Sequence, residues 1–232
     1  MSFGAPHRHY RRTDSTNTQA KQLAEAGAPH GTVVTAAEQT EGRGRQGRVW
    51  TASPGKALLY SAILRPLDRR HLLPLAVPLA VCAAAEQLRA GIECEVKWPN
   101  DVWLEGLKLA GVLIEAKPQD DWAVIGVGLN LAIEPHEFSP ELRHPATSLG
   151  AGISIEAARQ ELDAQLDRWV GEDPACVLAE FRARDALRGR EIAWDGGSGV
   201  ADGVDDRGNL VAVTLDGDSV VLGAGEVHLT RA

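Results

Sequence analysis

The stretch that most constrains this chain runs from Gln39 through Gly42-Arg43-Gly44-Arg45-Gln46-Gly47-Arg48 to Trp50. Three glycines set between three arginines make a backbone that can turn through positive φ and close on a ligand while guanidinium groups project around it. Such a segment is built to clamp an anion. As a pattern it satisfies G-x-G-x-x-G, so the residues after it decide which fold it can serve. A dinucleotide-binding turn must open a helix. Here Gly47 leads through Ser53-Pro54-Gly55 into Ala57–Leu64, which reads as a turn and a buried strand. A kinase would need later catalytic-loop and metal-binding triads, and a P-loop would need Gly-Lys-Ser/Thr; the sequence has neither. The alternative to a clamp is an arginine-bearing surface turn.

The rest of the chain makes the clamp stand out by its sign. Over 232 residues the formal net charge is -8 at pH 7, which argues against general binding to nucleic acid or anionic membranes and in favour of a small anionic ligand. With 44% hydrophobic and 24% charged residues, one large or two small domains with a sizeable core are expected. Cys82, Cys94 and Cys176 are odd in number and lack a paired spacing, so they are expected as reduced thiols filling the core of a cytoplasmic protein. Met1 to Arg12 contains no apolar signal region, and Leu72 to Ala85 is too short to span a bilayer and carries Pro74 and Pro78. The seven histidines lack metal-site spacing and are assigned to surface or core.

Asp14-Ser15-Thr16-Asn17 precedes a helical stretch ending near Gly27. One such side chain suffices to cap a helix; three in a row can also meet a polar ligand at the positive helix end, and the pattern leaves both readings open. Gly31 to Gln39 reads as a strand delivering Gln39 into the glycine loop. The next helix is expected to start at Pro78 and run to about Ala90, because interior prolines disfavour an earlier start. Glu95 to Leu104 is a strand interrupted at Pro99-Asn100-Asp101, and Glu105-Gly106 is the tip of a hairpin returning through Leu107 to Glu115, with Lys108 facing away from Leu107 and Leu109. Whether Lys108 is merely solvated is not decided by pattern. Trp122 to Leu131 is an apolar strand whose glycines suggest close approach by other atoms, with Asn130 where a buried strand would favour Val or Ile. Helices are expected from Ser154-Ile155-Glu156 to about Val170 and from Pro174 to about Leu187. Beyond Arg188-Gly189 the texture changes to five short strands, giving units at 1–187 and 188–232.

These motifs, in this order and over almost the whole chain, resemble the biotin protein ligases. The resemblance rests on Asp14 to Asn17, Gly42 to Trp50, Lys97-Trp98-Pro99-Asn100-Asp101, Lys108 to Glu115, Gly126 to Asn130 and the terminal β unit. It implies an α+β fold: a mixed catalytic sheet flanked by helices, of the class II aminoacyl-tRNA-synthetase/biotin ligase type, followed by a small SH3-like barrel. By the same resemblance Ser15, Thr16, Asn17 and Gln39 would meet the ureido end of biotin, and Arg43, Gly44 and Arg45 would fold over the ligand. Arg48, Trp50, Asn100, Asp101 and Asn130 would surround ATP, with Lys108, Arg45 and Asp101 carrying the chemistry. Bifunctional members carry an amino-terminal DNA-reading domain; with the first motif at Asp14, neither that domain nor a nucleic-acid partner is expected here. Gln46 stands where some members have another arginine.

The implied reaction activates biotin with ATP to biotinyl-5′-AMP and transfers it to a lysine of a biotin carboxyl carrier protein, a subunit of acetyl-CoA carboxylase or of another biotin-dependent carboxylase. Mg²⁺ would travel with the polyphosphate and need few protein ligands. A homodimer is compatible with the resemblance. Lipoate-type ligation is the second reading, and a non-catalytic biotin-binding module the third.

Overall fold

The computed structural model describes residues 2–67, 72–140, 142, 144–223, 225 and 227–230. Seven strands form the larger sheet: β1 (His7–Tyr10), β2 (Val33–Ala36), β3 (Ala57–Leu64), β4 (Cys94–Lys97), β5 (Asp101–Leu104), β6 (Leu107–Lys117) and β7 (Trp122–Asn130), in the order β1-β2-β3-β7-β6-β5-β4. Only β1 and β2 pair in parallel; the other neighbours are antiparallel, so the sheet is mixed as expected.

Period-2 alternation gives its two faces different fates. One face, with Leu58, Tyr60, Ala62, Ala123, Ile125, Val127 and Leu129, packs under the apolar helix α2 (Leu73–Leu88), which α3 (Ile155–Val170) and α4 (Pro174–Ala183) back from outside. The other face carries Val34, Ile63, Trp122 and Val124 beneath α1 (Thr16–Glu25). Beyond the amino-terminal end of α1, that face is lined by Ser61, Gly111, Gly126 and Gly128, with little side-chain bulk to fill the space. A cavity results.

Three expectations are corrected. Helix α2 begins at Leu73, not Pro78, with Pro74 in its first turn and Pro78 inside. Pro74 falls where no intrahelical bond is lost and Pro78 forfeits one, while burial of most of the helix outweighs that loss of about 3 kcal/mol. Helix α4 stops at Ala183 because the chain turns to pair with β4: Val96 N–H donates to Arg184 O at 2.8 Å and Ala186 N–H to Val96 O at 3.0 Å. Cys82 and Cys94 are buried, but Cys176 is exposed on α4.

The smaller sheet contains β8 (Glu191–Trp194), β9 (Gly197–Val204), β10 (Leu210–Val213), β11 (Ser219–Leu222) and β12 (Val227–Leu229), antiparallel in the order β11-β10-β9-β8-β12. It is fastened to the larger unit by Trp98 Nε1–H donating to Gly208 O at 3.1 Å and by Lys97 Nζ–H donating to Val227 O at 2.8 Å.

A bulge positions Lys108. Val102 pairs with Ala110 and Trp103 with Lys108, leaving Leu109 without a partner on β5. Unbroken alternation would put Lys108 on the face of Ala110 and Val112; the extra residue turns it to the face of Gly111. A Cβ on Gly111 would lie 3.4 Å from Lys108 Nζ. The freed backbone of Lys108 pairs elsewhere: its N–H donates to Pro145 O and its carbonyl accepts from Thr147 N–H, both at 2.9 Å. Among the described residues no helix is long and apolar enough to cross a membrane.

Candidate active site

The open part of the α1 face is a cavity of about 800 Å³. Ser15, Thr16, Asn17, Gln39, Arg43, Gly44, Arg45, Arg48, Trp50, Asn100, Asp101, Lys108 and Asn130 all line it, so every site residue named from sequence is brought to one place. Its cations are Arg43, Arg45, Arg48, Lys97 and Lys108; its carboxylates are Asp101 and Glu137, and Glu137 is already paired with Lys56 at 2.6 Å. The local sign is positive inside an acidic chain.

One end is uncharged and polar. Ser15 occupies the N-cap position of α1 but makes no capping bond with its side chain, so capping does not account for the hydroxyl cluster. Thr16 donates through both its backbone N–H (2.7 Å) and its hydroxyl (3.0 Å) to Gln39 Oε1. With that carbonyl engaged, Gln39 turns its amide donors to the cavity. The Ser61 hydroxyl lies 2.6 Å from Asn17 Oδ1 and 2.8 Å from Thr16 Oγ1. Asn17 can enter because Gly126 has no side chain: a Cβ there would overlap the Asn17 amide.

The glycine–arginine segment folds as a small loop across the cavity. Trp50 N–H donates to Gly42 O at 3.0 Å and Gly44 N–H to Arg48 O at 2.8 Å, closing a narrow ladder whose tip is a turn of 3₁₀ helix at Arg45–Gly47. Gln46 and Gly47 at the tip have φ of 53° and 74°. At the base of the loop the Trp50 indole rests on backbone. Gly111 and Gly128 face each other across β6 and β7, and a Cβ on either would press into the indole ring. Lys108 Nζ stands 5.7 Å from the centre of that ring.

The middle of the cavity holds the charge. Lys108 Nζ is 2.6 Å from Asp101 Oδ1. Arg45 donates to Asn100 Oδ1 at 3.3 Å, and Asn100 in turn donates to Val112 O at 3.1 Å. Burial lowers the Arg45 pKa, with Asp101 opposing and Arg48 adding to the effect. Asn130 Nδ2–H donates to Thr147 O at 2.9 Å, which leaves its carbonyl oxygen for the cavity.

Several lining residues were not singled out from sequence. Lys97 is 5% exposed and its pKa is lowered, first by burial, with Asp101 opposing and Lys108, Arg48 and Arg45 adding. His144 stacks with His228 of β12 at 6.1 Å and leans on Trp103 at 6.2 Å. Burial and nearby Lys97 lower the His144 pKa to about 4. Lys97 belonged to a recognised motif and could have been marked; His144 and His228 meet only through the tertiary fold. Among the described residues no group of three or more His, Cys, Asp or Glu is placed to hold a metal.

Residues 9–131 match the Biotin/lipoate A/B protein ligase family. The biotin--[acetyl-CoA-carboxylase] ligase of Mycobacterium tuberculosis is 37% identical over 239 residues, which takes in 94% of this chain and 86% of that protein. The bifunctional ligase/repressor BirA of Bacillus subtilis is 41% identical over 152 residues, 62% of this chain; the chain spans about half the length of that relative, the match covering 46% of it. Among solved structures, biotin protein ligase from Aquifex aeolicus in complex with biotin and ATP aligns with a TM-score of 0.80 at 26% identity, covering 99% of this chain and 100% of that one. Fold, site and kinship agree: the chain belongs to the biotin/lipoate protein ligase family.

Proposed function

We propose that the protein is a biotin protein ligase, activating biotin with ATP and transferring it to a lysine of a biotin carboxyl carrier protein. The observation that carries this reading is one cavity with a neutral hydrogen-bonding end at Thr16, Asn17 and Gln39 and a cationic middle at Arg45 and Lys108. A cyclic urea offers one carbonyl acceptor and two N–H donors; Gln39 supplies donors and Asn17 an acceptor. The dithiolane of lipoate has no such groups, and it would leave the Gln39 amide donors unmatched at a cost of roughly 1–3 kcal/mol. That favours biotin over the lipoate reading.

The carboxylate of biotin is a poor electrophile, so it must first attack the α-phosphorus of ATP, forming biotinyl-5′-AMP and releasing pyrophosphate. Two anions approach each other in this step. Lys108 and Arg45 are assigned to neutralise the charge that develops between them, a reading supported by their presence in the same cavity. In the second step the neutral amine of the carrier lysine attacks the carbonyl of the anhydride and AMP leaves. Asp101, beside Lys108, can orient that amine or take its proton. Arg48, Trp50, Asn100 and Asn130 are assigned to the nucleotide, and Ser15, Arg43 and Gly44 to enclosing biotin. Mg²⁺ carried by ATP fits the donors present, since Asp101 and the Asn130 carbonyl are oxygen ligands in an otherwise cationic cavity; it would screen the polyphosphate. Residues 1–187 form the catalytic unit in this reading and 188–232 complete its cavity through Val227 and His228. We assign the enzyme to the cytoplasm, in keeping with its unpaired thiols.

The test is biotin-dependent exchange of labelled pyrophosphate into ATP, run beside lipoate and octanoate. Exchange with biotin and none with the other acids is expected; exchange with lipoate instead would move the protein to the second reading, and none with any acid would remove the adenylation step.

A further inference from the structure

Outside the residues that line the cavity, one charged group joins its own strand to two other elements that build the polar end. Glu115, in β6, receives Asn17 Nδ2–H on Oε2 at 3.0 Å and Lys21 Nζ–H on Oε1 at 2.9 Å, both donors belonging to α1. Its Oε1 also lies 3.2 Å from Arg43 Nη2, the first arginine of the glycine–arginine loop. The second proton of Asn17 Nδ2 points to Leu113 O at 3.4 Å. Both donors of that amide are therefore committed to β6, and its Oδ1 is forced to the other side, towards Ser61.

A primary amide has nearly the same shape whichever way its oxygen and nitrogen point, so packing alone does not choose between them. A carboxylate does choose, because it only accepts hydrogen bonds. Gln39 is fixed by the same logic with the opposite result: Thr16 donates twice to its oxygen and so turns its nitrogen to the cavity. The two amides thus have opposite orientations, and Asn17 Oδ1, over the cavity-lining Gly126, keeps a second lone pair beside its contact with Ser61. Burial raises the Glu115 pKa, but the bonds from Asn17 and Lys21 and the nearby charges of Lys21 and Arg43 outweigh it, holding the carboxyl below its ordinary range and charged at neutral pH.

We propose that Glu115 is a positioning residue for ligand specificity: it fixes the Asn17 amide with its oxygen forward and ties Arg43 of the loop to the same anchor. The assignment rests on the biotin reading above. The ligand end it selects is a donor-bearing group such as the N–H of a cyclic urea.

The experiment is calorimetric titration of biotin into the full chain without ATP, for the parent, Glu115→Gln, Asn17→Ala and the double variant. Glu115→Gln keeps the size of the side chain and removes the rule that it must accept. It should weaken biotin roughly tenfold to hundredfold, the loss associated with one charge-assisted hydrogen bond. In the Asn17→Ala background the same change should cost clearly less than in the parent, since the amide that Glu115 orients is gone and only its tie to Arg43 remains. Full additivity of the two losses would overturn the assignment, as would a Glu115→Gln protein that binds biotin like the parent. Glu115→Asp, which keeps the charge on a shorter arm, should recover part of the affinity lost in Glu115→Gln; an affinity no better than that of Glu115→Gln would also count against it. A parent that fails to bind biotin would overturn the functional reading and this assignment with it, whereas a parent that binds while the variants match it overturns the assignment alone.

Discussion

Replacing Lys108 with alanine separates a catalytic lysine from a structural one. Its Nζ is 2.6 Å from Asp101 Oδ1, and the two side chains are 23% and 9% exposed. Unit charges roughly 3 Å apart attract by about 5 kcal/mol at an effective dielectric of about 20, most of which is offset by desolvation. Removing Lys108 alone leaves Asp101 with one fewer partner in a partly dry site, so the fold should lose roughly 1–3 kcal/mol. The rate of adenylation should fall by roughly 10² to 10³, as for other preorganised charges aimed at a transition state. A second variant divides these effects: Lys108→Met with Asp101→Asn removes both charges and should restore most of the stability while adenylation stays slow. Lys108→Arg should rescue little, because a planar fork does not reproduce a compact ammonium. The assay is single-turnover formation of biotinyl-5′-AMP beside carrier labelling from preformed adenylate. The first step must suffer the larger loss. Equal losses in both would indicate a damaged pocket, and unchanged rates would make Lys108 a strand residue that happens to touch Asp101.

Arg45→Gly should release biotinyl-5′-AMP faster than the parent and label exposed lysines indiscriminately, because the loop loses a cation and gains freedom; adenylate trapped by filtration and labelling of a bystander protein report this, and unchanged retention would refute it. Gly126→Ala should abolish measurable biotin binding while the sheet still forms, since the new methyl overlaps the Asn17 amide and not a core residue; titration with far-ultraviolet circular dichroism tests both halves. His144 should make stability fall on acidification. Its folded pKa of about 4 lies below the unfolded value of 6.5, so the unfolded state binds more protons between them and stability declines as pH drops through that window. His144→Gln should flatten the decline in urea melts between pH 7 and 4, and an unaltered slope would assign it elsewhere.

Much of this architecture was legible because local and global signals agree. Strand β3 coincides with the apolar run Ala57–Leu64, and Ser154 caps α3 by accepting from Ala157 N–H, as a serine before an amphipathic stretch should. The glycines of β7 signalled close approach, and Asn17 and Trp50 are what approach. What escaped the sequence depended on context. Pro78 is tolerated because the helix around it is buried, and the end of α4 is set by pairing with β4 far away in sequence. Lys108 reaches the cavity through a bulge that alternation does not reveal. Glu115 left a faint mark, a carboxylate on an apolar strand, but its partners come from a helix and a loop distant along the chain.

The bulge also gives Lys108 a neighbour outside the sheet. Its backbone pairs with Pro145 and Thr147, and Thr147 O holds the amide of Asn130. The three-residue stretch 145–147 is thus a shared anchor for the backbone of Lys108 and the amide of Asn130, directly after His144 of the cavity lining. Lys108 and Asn130 therefore share one footing in the chain, and a change that shifts residues 145–147 would disturb both side chains together.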